Sequence, residues 1–141
     1  MYSFLDETVA DNMTRTVKTV APTTTLRELH RLFSADDFNC YPVIDGDRLL
    51  GVISKFDVLN CFVFTPSSMI PRYDDLMDRT VADAMTREFV SVDPDTRLQR
   101  VLQLMVNHRI RSMPVVDAGG HLVGIIARED VMRALDRCAT T

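Results

Sequence analysis

The feature that most constrains this chain is that it is written twice. A shift of 72 residues lays "VADNMTR", from Val9, on "VADAMTR", from Val81. Over Val9–Asp45 the shift gives 14 identities in 37 positions, where average residue usage would give about two. Pro22 falls on Pro94, Leu26 on Leu98, Pro42 on Pro114 and Asp45 on Asp117. One residue is then added before Leu122. After it, Leu49, Gly51, Ile53, Asp57 and Val58 fall on Leu122, Gly124, Ile126, Asp130 and Val131. A fold for this chain must therefore be two copies of one small unit. The copies are expected at residues 1–64 and 81–141, joined by a segment at 65–80. A copy of about 60 residues buries too little surface to be comfortable alone. The expectation is one compact α+β module, with the two copies packed sheet to sheet about a pseudo-twofold axis.

Each copy carries the same local signals. Leu26, Leu29 and Phe33 make one apolar stripe at helical spacing, and Leu98, Val101, Leu102 and Met105 make the other. Thr25 with Glu28, and Thr96 with Gln99, have capping-box spacing ahead of these stripes. The runs "YPVID" and "RLLGVIS" flank "DGD" in the first copy. "MPVVD" and "HLVGIIA" flank "DAGG" in the second. Both read as hairpins. "KFDVLNCF" and "REDVMRAL" then read as short closing helices. The order in each copy is strand, helix, strand, strand, helix. The segment "TPSSMIPRYDDLMDRT" holds two prolines and reads as a long loop with a helical turn.

Composition removes several classes of function. The net charge of −4 argues against non-specific nucleic-acid binding, which needs basic faces to release counterions. It leaves room for a small anionic ligand. Cys40, Cys61 and Cys138 are odd in number and widely spaced, which is neither a disulfide framework nor a zinc signature. A reducing, cytoplasmic setting is expected. The acidic N-terminus does not read as a signal peptide. No apolar run approaches the ~18 residues needed to span a bilayer. His30, His108 and His121 lack metal-ligand spacing, so no metal site is expected. "GGHLVG" is not a dinucleotide fingerprint, and there is no P-loop. No nucleophile–base set stands out, so no catalytic residue and no enzyme activity are expected. The eight methionines fall mostly on apolar stripes, where core packing is their default role. Exposed aromatics in "CFVFTPSSMIPRY" could form a dimer contact, a lid or a cover over the core.

The opening "VADxMT", the strands at 41–45 and 113–117 and the closing "GVISKFD" and "GIIARED" resemble a tandem pair of cystathionine β-synthase (CBS) domains, the Bateman module. The resemblance covers roughly residues 9–60 and 81–136. It implies two βαββα repeats and a regulatory module that binds an adenosyl compound between them: AMP, ADP, ATP or S-adenosylmethionine, and sometimes a dinucleotide. No cofactor is required under this reading. Carried over by residue, one implied cleft uses Ser54, Lys55 and Asp57 with Phe89, Val90, Ile110, Arg111 and Met113. The other uses Asp130 with Thr16, Val17, Phe38, Asn39 and Tyr41. The resemblance also implies a homodimer, while the charge and the short apolar runs leave no nucleic-acid or membrane partner expected. Without an output domain in this chain, the regulated protein would be reached in trans. The alternative is an oligomerisation or partner-docking module whose clefts stay empty.

The residue types suit the implied chemistry. An ionised carboxylate can hold a vicinal diol, and both Asp57 and Asp130 fall in the first turn of a closing helix. A helix start also favours phosphate. Ser54 adds a hydroxyl, Lys55 and Arg111 add charge, and Val90, Ile110 and Met113 can wall a flat base. The same S-x-x-D spacing is a helix-capping box, and the two roles are compatible. Arg111 can equally be a solvated surface residue, and the apolar residues are core first. The second copy has Ala127 in place of Ser54, and Asn39 stands where Arg111 does. The cleft holding Asp130 is therefore expected to bind more weakly, stay empty, or prefer less phosphate.

Overall fold

The computed structural model describes residues 2–36, 38–63 and 72–139. In chain order, a 3-10 turn over Tyr2–Asp6 leads to α1 (Val9–Asn12), α2 (Leu26–Asp36), β1 (Cys40–Asp45), β2 (Arg48–Ser54) and α3 (Lys55–Asn60). Then come α4 (Tyr73–Met77), α5 (Val81–Ala84), α6 (Leu98–His108), β3 (Ser112–Val116), β4 (Leu122–Ala127) and α7 (Arg128–Ala139). The fold is α+β, with two antiparallel hairpins, β1–β2 and β3–β4. Residues 64–71, the first part of the segment between the copies together with Phe64 of the aromatic stretch, lie outside the described residues. The helical turn expected in that segment is α4. The Phe62 ring stacks on Tyr73 at 5.9 Å between centroids.

The chain forms two compact units. One is Lys18–Phe89, and the other joins Met1–Val17 to Val90–Thr141. They are called here the Asp57 unit and the Asp130 unit. In the first, Leu26, Leu29 and Phe33 of α2 pack with Tyr41, Val43 and Ile53 of the hairpin. In the second, Leu98, Val101 and Met105 of α6 pack with Met113, Val115 and Ile126. These are matched positions under the duplication. Each core also takes the opening valine of the other copy. Val81 is fully buried in the Asp57 unit and Val9 in the Asp130 unit.

Backbone bonds fix this exchange. Val81 and Ala82 donate to the carbonyls of Thr24 and Pro22, while Val9 and Ala10 donate to those of Thr96 and Pro94. Burying a valine stabilises by about 1.5–3 kcal/mol, so neither contiguous copy closes its core as well alone.

The opening strand expected in each copy is reduced to a single bridging residue. Val20 donates to Pro42 O and accepts from Ile44 N–H, and Val92 does the same with Pro114 and Val116. Continuing either ladder toward the N-terminus needs an N–H from Pro42 or Pro114. Proline has none, so the pairing stops there.

The outer edge of each hairpin is closed by the exchanged phrase. Thr86 and Val52 exchange two backbone bonds of 2.8 and 2.9 Å, and Thr14 and Ile125 exchange two of 2.9 Å. This explains the glycine in "GVIS" and "GIIA". A Cβ on Gly51 would lie 2.6 Å from Thr86 O, and one on Gly124 would lie 2.8 Å from Thr14 O.

One expected cap is absent. Glu28 N–H donates to Thr25 Oγ1, as the capping-box spacing implies. Thr96 does not cap α6. Its hydroxyl bonds Asp93 in the preceding turn, and the N-cap is Arg97, which makes no side-chain cap bond. The duplication gives the reason: the counterpart of Thr25 is Arg97, while Thr96 matches Thr24.

Candidate functional site

The β2–α3 junction places Ser54, Lys55 and Asp57 together. Ser54 is extended, with φ −114° and ψ 166°, and is the N-cap of α3. Asp57 N–H donates to Ser54 Oγ at 3.1 Å, and Ser54 N–H donates to Asp57 Oδ2 at 2.8 Å. The Ser54 hydroxyl donates to the same Oδ2 at 3.1 Å. The other oxygen, Oδ1, accepts from the Thr86 hydroxyl at 3.0 Å. Both roles weighed for the S-x-x-D spacing start from this geometry, and the capping box is formed. α3 is only six residues long. The N–H groups of Lys55 and Asp57 already have partners, Asn39 O and Ser54 Oγ. Little of the anion affinity expected of a helix start is left there.

The remaining expected residues of this unit have mixed placements. Asn39 is exposed and bonded through its carbonyl to Lys55, so it sits beside the junction. The Lys55 ammonium lies 5.8 Å from the Phe33 ring centroid. Phe38 is exposed and meets Tyr41 edge-on at 5.6 Å. Tyr41 itself is core. Its hydroxyl donates to Leu32 O at 3.0 Å and to Asp36 Oδ2 at 2.7 Å. Burial, then Asp36, pushes its phenol well above the usual range. Phe89 is half-buried. Burial, then the Asp57 charge, pushes the Cys40 thiol up to about 11. Burial raises Cys61 as well. Neither is a thiolate near neutral pH, so neither is an activated nucleophile.

The β4–α7 junction repeats the backbone with different side chains. Ala127 N–H donates to Asp130 Oδ2 at 2.8 Å, and Ala127 offers no hydroxyl. Oδ1 accepts from Arg133 at 3.2 Å. Asp130 is buried, at 4% exposure, beneath a largely exposed Arg133. Arg128 N–H donates to Arg111 O at 2.9 Å, which sets Arg111 beside the start of α7. Arg128 pairs with Glu129, whose carboxyl is held low first by a backbone N–H, then by Arg128, with Arg111 contributing. Met113 is fully buried, and Val90 and Ile110 pack against the same core. Thr16 is exposed and Val17 half-buried.

Within its own unit, then, Arg111 keeps company with Arg128 and Asp130, and Asn39 with Ser54 and Asp57. The set expected with Asp57 takes Phe89 from the Asp57 unit and Val90, Ile110, Arg111 and Met113 from the other. Thr86 and Arg128 escaped the sequence reading. Thr86 carries a sequence signal, because it ends "VADAMT", the phrase that marks the repeat. Among the described residues no group of His, Cys, Asp or Glu could hold a metal ion. No described helix is long and apolar enough to cross a membrane.

Two hairpin-and-helix units, each with an aspartate capping its closing helix, define the class. The CBS domain model matches residues 7–63 and 81–137. The chain belongs to the CBS domain family, as a tandem pair. It is 34% identical to the chloroplastic CBS domain-containing protein CBSX1 of Arabidopsis thaliana, over 90% of this chain and 63% of that protein. An uncharacterized protein of Methanocaldococcus jannaschii is 29% identical, over 90% of this chain and 39% of its own length. The chain thus spans less than two thirds of these relatives. Among solved structures, CBSX2 in complex with AMP superposes with a TM-score of 0.79 at 29% identity, over 94% of this chain and 98% of that one.

Proposed function

We propose that this CBS pair is a regulatory module that binds an adenosyl compound through the Asp57 and Asp130 carboxylates. The observation that carries the proposal is the pair of junctions. Each anchors one carboxylate oxygen on a backbone N–H, 2.8 Å from Ser54 N and 2.8 Å from Ala127 N. A carboxylate oriented in this way can accept from ribose hydroxyls. The AMP complex of CBSX2 supports that ligand class. AMP, ADP, ATP and S-adenosylmethionine all carry the ribose, and the tail would be chosen by the charges around it. Arg111 and Arg128, neighbours in the Asp130 unit, suit a phosphate-bearing tail. For the Asp130 site this proposal is the opposite of the weaker, empty or phosphate-poor site that the sequence alone suggests. Under this reading the chain is not an enzyme, works in the cytoplasm, and regulates a protein partner.

A thermal-shift panel with AMP, ADP, ATP, S-adenosylmethionine and NADH tests this. A ligand at 100 times its dissociation constant adds about 2.7 kcal/mol of stability. A flat response across the panel sinks the proposal.

One observation favours the second reading, an oligomerisation or docking module. Val106 of α6 and Met132 of α7 are both 66% exposed and flank an apolar groove completed by Leu102, Met105, Val131 and Leu135. A homodimer through this face would show in sedimentation equilibrium without any ligand. A monomer at all concentrations would remove that reading.

A further inference from the structure

The two carboxylates differ in how many hydrogen bonds they can still accept. An ionised carboxylate has about four lone-pair positions, two on each oxygen. Around Asp57, among the described residues, Oδ2 takes both the N–H and the hydroxyl of Ser54. Oδ1 takes the Thr86 hydroxyl. That leaves one open position. Around Asp130, again among the described residues, Oδ2 takes only the Ala127 N–H, and Oδ1 takes only Arg133. That leaves two open positions, one on each oxygen.

We infer that Thr86 is a specificity-determining residue: with Ser54, it restricts Asp57 to one ligand hydroxyl, whereas Asp130 can grip both hydroxyls of a vicinal diol. The inference rests on the proposed reading that these aspartates hold the ribose.

Thr86 suits the role because it cannot drift. Its N–H and C=O are both bonded to Val52, and the hydroxyl rides on that fixed backbone toward Oδ1. Its counterpart Thr14 has the same backbone pairing, with Ile125. Yet Asp130 Oδ1 is covered by an arginine instead. Ser54 contributes from the other side, since the hydroxyl that completes the helix cap also fills Oδ2. The hydroxyl missing at Ala127 is therefore a gain in acceptor capacity, not a defect of that site.

The test compares AMP with 2′-deoxyadenosine 5′-monophosphate by calorimetry. The background variant is Asp130→Asn, whose amide oxygen can still accept from Ala127 N–H, so that Asp57 is read alone. The deoxy compound should bind within about threefold of AMP, because one open acceptor position needs only one hydroxyl. Adding Thr86→Val should raise that preference for AMP to tenfold or more, the worth of one charge-assisted hydrogen bond. Ser54→Ala, which copies the natural Ala127 arrangement, should raise it too and serves if Thr86→Val does not fold. An unchanged ratio in both variants overturns the inference. If Asp57→Asn then abolishes AMP binding, the ribose reading survives that failure. If Asp57→Asn leaves AMP binding intact, the reading fails and the inference with it.

Discussion

At the β2–α3 junction the Asp57 carboxylate accepts twice from Ser54 and once from Thr86. At the β4–α7 junction Asp130 accepts once from Ala127 and once from Arg133. The backbones are the same, down to the glycine three residues before the N-cap position and the bridging threonine beside the strand. The duplication therefore keeps the geometry and varies the donors. A hydroxyl that strengthens a helix cap also occupies an acceptor position that a ligand could use. Stability and acceptor capacity pull against each other at these two aspartates, and each junction settles the balance differently.

The largest expected effect sharpens what the junctions share. Gly51→Ala puts a Cβ 2.6 Å from Thr86 O, and that oxygen belongs to a doubly bonded backbone. Urea denaturation should show a loss of about 3 kcal/mol. Gly124→Ala meets Thr14 O and the Met13 sulfur, both at 2.8 Å. The thioether can swing away, so the loss should be smaller, about 2 kcal/mol. A larger loss at Gly124 would break the ranking.

The next effect attacks the difference itself. Ser54→Ala should destabilise by about 1 kcal/mol, through the lost cap. Ala127→Ser, the reciprocal change, should stabilise by about 0.5–1 kcal/mol. Thermal melts of the two variants check both signs. Two changes of the same sign would show that the cap is not what separates the junctions.

The smallest effect concerns acid. In the Asp130 unit, Glu7 ties the N-terminal segment to α7. Asn12, and then Arg137, hold its carboxyl below the usual value of 4.5. A folded-state value below the unfolded one means the contribution is present above the unfolded pKa. It is lost as pH falls through the folded one. Glu7→Gln should therefore lower stability slightly at neutral pH, where the ionised carboxylate contributes, and flatten the decline below about pH 4.5. A variant that still loses stability as steeply in acid would place the titrating group elsewhere. Asp36, held low by Lys18 and then Tyr41, is its counterpart in the other unit.

Much of this was legible from the residues. Apolar stripes at helical spacing placed α2 and α6, and the turn residues placed both hairpins. The duplication itself announced the family and both aspartates. What was hidden has physical reasons. Alignment assigns Val9 to the first copy and Val81 to the second, but burial assigns each to the opposite core. The prolines that mark the "PV" strands also cut the opening strands short, because a missing N–H matters only once a partner is known. Thr96 matched a capping pattern one residue out of step with its own duplicate. Thr86 lies 29 residues from Asp57, and only the folded edge of the hairpin brings them together.

If the two aspartates hold an adenosyl ligand, binding depends on their carboxylates. Calorimetry of AMP against the unmodified chain and against Asp57→Asn with Asp130→Asn tests it most directly. Saturable binding to the former and none to the latter is expected, with both proteins folded by circular dichroism. Equal affinity for both would contradict it.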